Sequence, residues 1–208
     1  ARGTNVVLAT AHVEAFEVVF DHLAKPTPRF LALRMEYMTK GSHVGPYTPY
    51  VSDDGLHWRK ARNSSVAPLV MADRSTFFLN PLRSPPQWVF SLRENLCAGG
   101  PSGHMRVRRY WERPHGAQHE RTAYAPFVRS YFQCERWRPG EPVPWFGVDR
   151  HDCGYRQCDV YNVDGIAYES ILIHGIAVLH GPNHGGELKN NTVHLGFSRD
   201  GFHITRPP

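Results

Sequence analysis

One short pattern occurs twice in this chain and restricts its fold more than any other feature. Residues 52–58 read Ser-Asp-Asp-Gly-Leu-His-Trp and residues 198–204 read Ser-Arg-Asp-Gly-Phe-His-Ile. Both obey Ser-x-Asp-Gly-x-His followed by an aromatic or aliphatic residue. Asp-Gly between two β-rich runs signals a hairpin, because a type I′ turn needs φ > 0 at both central residues. Each copy follows a strand-like run, Tyr47–Val51 and Thr192–Phe197. Asp54 and Asp200 are therefore expected to seed turns rather than to carry chemistry.

A degenerate third copy, Arg108-Arg109-Tyr110-Trp111-Glu112-Arg113-Pro114, keeps the strand and the Trp but lacks the turn. Each unit has a similar order. An Asp lies beside a first strand (Asp21, Asp73, Asp159), and a middle strand follows at 29–35, 87–93 and 167–179. The units span about 16–62, 70–114 and 145–207, with 115–145 as an insertion rich in Pro, Arg, Cys and His. A radial stack of small antiparallel sheets is the natural home for such repeats. The expected fold is all-β, a partial β-propeller of three blades filling one domain, 1–208. Three blades do not close a ring, so the remaining blades are expected to be missing or supplied elsewhere. The stretch Glu169–Gly181 could form a buried helix, but its β-branched residues and two Gly favour a strand pair.

Composition agrees with short strands and many turns. Seventeen Pro and eighteen Gly are scattered, and aromatic residues reach 12%. Flat rings suit pleated surfaces and also pyranose faces, so their number does not separate a β protein from a sugar binder. The net charge is +5, but the Arg residues are spread out rather than gathered in the stripe that nucleic-acid binding needs. No apolar run reaches the roughly 18–20 residues of a membrane span. No nucleic-acid or membrane partner is therefore expected. Ala1-Arg2-Gly3-Thr4 has neither a signal-peptide shape nor an initiator Met, which leaves room for a segment upstream. Cys97, Cys134, Cys153 and Cys158 include no Cys-x-x-C; a Cys153–Cys158 disulfide and free thiols both fit. The sequons at Asn63 and Asn190 lend slight support to export.

The two turn motifs, with Asp73–Pro81 and Tyr168-Glu169-Ser170, resemble proteins described as glycoside hydrolase family 32 N-terminal-like. These share a five-bladed propeller with families 32 and 43. The resemblance covers about Phe16 to Pro207. It implies a domain that hydrolyses glycosidic bonds, a carbohydrate partner, no cofactor, and a secreted or periplasmic location. By position, Glu169 resembles the general acid and Asp73 the second carboxylate. The sequence departs from family 32 in lacking Asn-Asp-Pro-Asn, in reading Asp73-Arg74 where the family has Arg-Asp-Pro, and in following Glu169 with Ser.

Glycoside cleavage needs one protonated and one ionised carboxyl group. Glu169, between Tyr168 and an apolar run, is placed for a raised pKa; a strand-edge Glu paired with Arg is the plain alternative. Asp73 reads equally as a catalytic partner or a turn cap, and Asp21 reads as a turn residue. Arg74, Arg93 and Arg109 could grip sugar hydroxyls or simply form ion pairs. In the loop Trp145–Asp152, Trp145 could stack on a sugar, and Asp149 and Asp152 could bind hydroxyls, or the loop could only connect blades. Tyr168 joins the substrate-binding candidates. No metal site is expected: His115 and His119 sit among helix breakers, and His151, Asp152, Cys153 and Cys158 are poorly spaced for zinc. The alternative to an enzyme is a propeller that binds carbohydrate or protein without turnover.

Overall fold

The computed structural model describes residues 13–27, 29–36, 44–61, 69–97, 104–116, 132–133, 142–153, 158–181 and 190–207. Expectations placed on Asn63, His119 and Cys134 lie outside these residues. The described part is all-β, with antiparallel sheets and one helical turn, α1 (Arg150–Cys153).

Three sheets follow one another along the chain. The first joins β1 (Val13–Asp21), β2 (Arg29–Glu36) and β3 (Val44–Ser52) in order, and the far edge of β3 takes two short strands, β4 (Arg59–Lys60) and β5 (Leu69–Ala72). β4 covers only Tyr50 and Val51, so the rest of that edge is open to β5, which pairs with 44–47. Residues 70–72 thus belong to the first sheet rather than opening the second unit.

The second sheet runs β6 (Thr76–Asn80), β7 (Gln87–Cys97), β8 (His104–Pro114), β10 (Val143–Phe146), with β9 (Phe132–Gln133) parallel to β7. Trp145, read as the start of the third unit, is therefore the outer strand of the second. The third sheet is β11 (Cys158–Tyr168), β12 (Ile171–His180) and β13 (Asn190–Ser198). A bridge between Phe197 and Thr205 adds one more rung outside β13. The stretch read as helix or strand pair is strand β12, paired on both sides.

The second sheet lies between the other two. Successive strand residues point to opposite faces, and β6 uses this directly. Phe77 packs with Leu33, Met35 and Tyr47 of the first sheet, while Phe78 packs with Leu172 of the third. Every residue of β6 is buried, as a strand covered on both faces requires. A further cluster, Val160, Val163, Ile176 and Val178, packs under Trp145, Phe146 and Val148. The outer faces are different: Val18 and Phe20 of β1, and Val193 and Leu195 of β13, are exposed.

Both repeated motifs form the same closed loop. Ser52 Oγ accepts the N–H of Gly55 at 2.8 Å, and Asp54 Oδ1 accepts the N–H groups of Leu56 and His57, each at 2.8 Å. The second copy repeats this with Ser198, Gly201, Asp200, Phe202 and His203 at 2.8–2.9 Å. In each, a His Nδ1 lies 2.6 Å from the Asp carboxylate. The turn role of Asp54 and Asp200 holds, but the type does not. Within each motif only the Gly has positive φ, 76° at Gly55 and 88° at Gly201. The Asp side chain, by accepting two backbone N–H groups, replaces the I′ geometry with a wider loop.

The two copies differ in their surroundings, which yields a prediction. A Cβ on Gly55 would meet only the Phe30 ring at 3.4 Å, whereas one on Gly201 would lie 2.7 Å from Asn80 Nδ2. Asn80 donates that amide to the Asp200 carbonyl at 2.8 Å, joining the loop to β6. Gly55→Ala should cost about 1 kcal/mol for its left-handed φ. Gly201→Ala should cost at least about 2 kcal/mol, because the clash adds to the same term. Urea unfolding of the two variants side by side checks the order.

Candidate functional site

The first strand of each sheet, β1, β6 and β11, meets the others at one cleft of about 520 Å³. Phe77 and Leu79 of β6 form its apolar floor, with Phe20 and Ile166 on the flanking strands. Two carboxyl groups enter it, Glu17 from β1 and Asp164 from β11, and His22 lies at its margin. β1 reaches the site because its side chains alternate, so Glu17 and Val19 share a face. β11 reaches it beside a bulge: Val160 pairs with Val178 and Asn162 with Ala177, leaving Tyr161 outside the ladder.

The electrostatics of the cleft are unusual. Burial, and then the nearby charge of Asp164, push the Glu17 carboxyl up to about 7, while Arg108 and Arg74 pull it down. Burial also raises Asp164, opposed by the N–H of Gly165 at 3.2 Å and by Arg108. Burial thus disfavours ionising either carboxyl, and the charge of Asp164 further disfavours ionising Glu17. Below the cleft His174 is fully buried, and its Nδ1 lies 3.1 Å from the Asp164 carbonyl. A carbonyl only accepts, so this contact places the proton on Nδ1. Burial pushes the ring down to about 4 against that hydrogen bond, so His174 is neutral.

Arg108 supplies the positive potential from beneath. Its side chain is fully buried and its guanidinium donates to three backbone carbonyls, those of Arg74 at 2.6 Å, Ser91 at 3.4 Å and Tyr161. Burial, with Arg106 and Arg93 nearby, pushes it down to about 9, still protonated at neutral pH.

The residues expected from sequence are placed differently. Glu169 is exposed in the two-residue turn between β11 and β12, with φ of 51°. Its carboxyl is in water, not in the apolar setting that a general acid needs. Asp73 is buried in the β5–β6 turn and ion-paired with Arg93. Neither lines the cleft, so this pair is not assembled there. Arg93 and Arg109 are buried, Arg109 against Glu94 and the Pro142 carbonyl, which removes both from contact with a sugar. Trp145 donates its indole N–H to the Phe202 carbonyl at 2.7 Å and packs edge-on to Tyr110. It is a packing residue rather than an open platform. Asp149 caps α1 through the N–H of His151 at 2.7 Å, and Arg206 pairs with both Asp149 and Asp152.

Two candidates remain near the cleft. Arg74 is exposed, has φ of 59° and is close enough to act on Glu17. Tyr168 is exposed on the face of β11 that also carries Asp164 and Ile166. Asp21 accepts the N–H of Leu23 at 3.2 Å, as a turn residue does, and also meets His115 Nε2 at 2.9 Å. Cys153 and Cys158 form a disulfide, so they present no thiolates to a metal. No group of three or more His, Cys, Asp or Glu suited to a metal occurs among the described residues.

Glu17, Asp164 and the glycines beside them were not among the candidates read from sequence. Asp164-Gly165 has the look of a turn dipeptide but sits inside a strand. The sequence offers little signal for Glu17, which is one of three acidic residues in the strand Val13–Asp21. Comparison with family models, curated proteins and solved structures finds no match to this chain.

Proposed function

We propose that this chain is a glycoside hydrolase-like module of β-propeller type, with Glu17 as general acid and Asp164 as the ionised partner. The observation that carries the reading is that two carboxyls from different sheets share one solvent-open, apolar-walled cleft, in which burial pushes Glu17 up to about 7. The convergence of three first strands on this cleft supports the propeller. The cleft has the size of a small-ligand site.

In this chemistry Glu17 gives its proton to the glycosidic oxygen as the C1–O bond breaks. Asp164 either takes a proton from the attacking water or bonds to C1 until water replaces it. In both cases water supplies OH to the anomeric carbon and H to the leaving oxygen. Arg108 and Arg74 keep negative charge tolerable on the pair, and the apolar floor excludes competing water.

A panel of aryl glycosides assayed from pH 4 to pH 9 tests the reading. Turnover should fall as pH rises through about 7, because Glu17 must be protonated to act. Saturable glycan binding without turnover would favour the binding-propeller reading, which the exposed Phe20 and Tyr168 support. Neither binding nor turnover across the panel would sink both and favour a protein-binding scaffold.

A further inference from the structure

Gly175 lies in the interior of β12, a strand paired on both sides, where glycine is ordinarily unfavourable. Its backbone does not require it, since its φ is not among the positive values of the described glycines. Packing does not require it either: a Cβ placed there would meet nothing within 4 Å. Its neighbour Gly165 is the opposite case, since a Cβ there would press on the Phe78 ring and His174 Nδ1 at 3.0–3.1 Å. Gly165 is thus accounted for by packing and Gly175 is not.

Its position in the sheet explains it. Gly175 pairs directly with Asp164 on one side and with Leu195 on the other. Directly opposed residues in an antiparallel pair project from the same face. The row across this face therefore reads carboxylate, bare backbone, exposed leucine, and both Asp164 and Gly175 line the cleft. Any side chain at 175 would stand beside the Asp164 carboxyl, in the space through which a ligand must approach it.

We infer that Gly175 determines specificity: its missing side chain opens the subsite in which the ligand ring next to Asp164 lies flat on β12. This rests on reading the cleft as a ligand site. It adds that the ring bound there must be thin and must reach Asp164 over bare backbone, as a pyranose presenting its apolar face against Leu195 and Ile173 would.

The test is a graded occlusion, Gly175→Ala and Gly175→Leu. Because the added Cβ meets open space, both variants should fold, with unchanged circular dichroism and a Tm equal to or above that of the parent. Access is read without any sugar, by labelling with a water-soluble carbodiimide and glycine methyl ester, followed by peptide mapping. Exposed Glu169 serves as the internal reference. Asp164 labelling should slow about twofold in Gly175→Ala and tenfold or more in Gly175→Leu, with Glu169 unchanged. Turnover of the aryl glycoside panel should fall in the same order, through KM first. Labelling of Asp164 at the parental rate in Gly175→Leu overturns the inference whatever the turnover. Slowed labelling in a protein whose parent neither binds nor cleaves a glycoside upholds the access role and removes the sugar reading instead.

Discussion

Glu17→Gln is expected to abolish turnover of glycosides with poor leaving groups while making the folded protein more stable at pH 8. The two effects share a cause. A general acid contributes on the order of 10²–10⁴-fold in rate, and Gln has the shape of Glu but no acidic proton. A dinitrophenyl leaving group departs without protonation, so activity on such a substrate should survive largely intact. That contrast separates loss of the acid from loss of the fold. The stability effect follows from linkage. The folded carboxyl titrates at about 7 and the unfolded one near 4.5, so between these values the folded state holds more protons and stability falls as pH rises. Above about pH 7 the fold carries the whole penalty. It would be about 3 kcal/mol for a fully shielded group, and about 1–2 kcal/mol once solvent at the open side of the cleft is allowed for. Gln carries no charge and escapes it. Urea midpoints at pH 5 and pH 8 check this: parent and variant should match at the lower pH and separate at the higher. A parent no less stable at pH 8 than at pH 5 would refute the burial of Glu17 and weaken its catalytic assignment.

Arg108→Met is expected to cost about 3–5 kcal/mol, a large part of the roughly 5–15 kcal/mol that holds a domain together. A buried cation is often dispensable when it is replaced together with its ionic partner. Arg108 differs because its acceptors are backbone carbonyls that no substitution removes. The Tyr161 carbonyl belongs to the residue bulged out of the β11–β12 ladder, and the Arg74 carbonyl to a residue at φ 59°. Both carbonyls are part-buried and would lose this donor, at about 1–3 kcal/mol apiece. Met fills the volume of the stem, which isolates the hydrogen-bonding loss from a cavity. Arg108→Lys should recover only part, since a single ammonium does not span the same three carbonyls. Denaturant unfolding of the pair measures it, and a cost under about 1 kcal/mol for Met would refute the role. In whatever folded protein remains, Glu17 should titrate still higher, because Arg108 holds it down.

The strands and the two motif loops were legible in the sequence because they rest on local chemistry. Ser, Asp and His at fixed spacing close a loop by hydrogen bonds within seven residues. Strand β12 was legible from its β-branched residues, and Cys153 and Cys158 are close enough in sequence to suggest their bond. The candidate site was not legible, because it exists only where three strands far apart in sequence converge. Glu17, Asp164 and Gly175 carry no shared motif, and their faces are fixed by which sheet packs against which. Glu169 and Asp73 drew notice through their resemblance to a family pattern. The first lies in a turn that faces water, and the second is bound to Arg93, whose charge it neutralises.

The double burial of β6 has a consequence for fidelity. A strand with one apolar face knows its alignment, since a slip of one residue would turn polar groups inward. Phe77, Phe78 and Leu79 are greasy on both sides, and such a slip would still present oil to oil. What distinguishes the correct alignment is polar. Thr76 Oγ1 donates to the Val163 carbonyl at 2.9 Å at one end of the strand, and Asn80 reaches the Asp200 carbonyl at the other. The hydrophobic residues of this protein supply its cohesion, and a hydroxyl and an amide keep its innermost strand in frame.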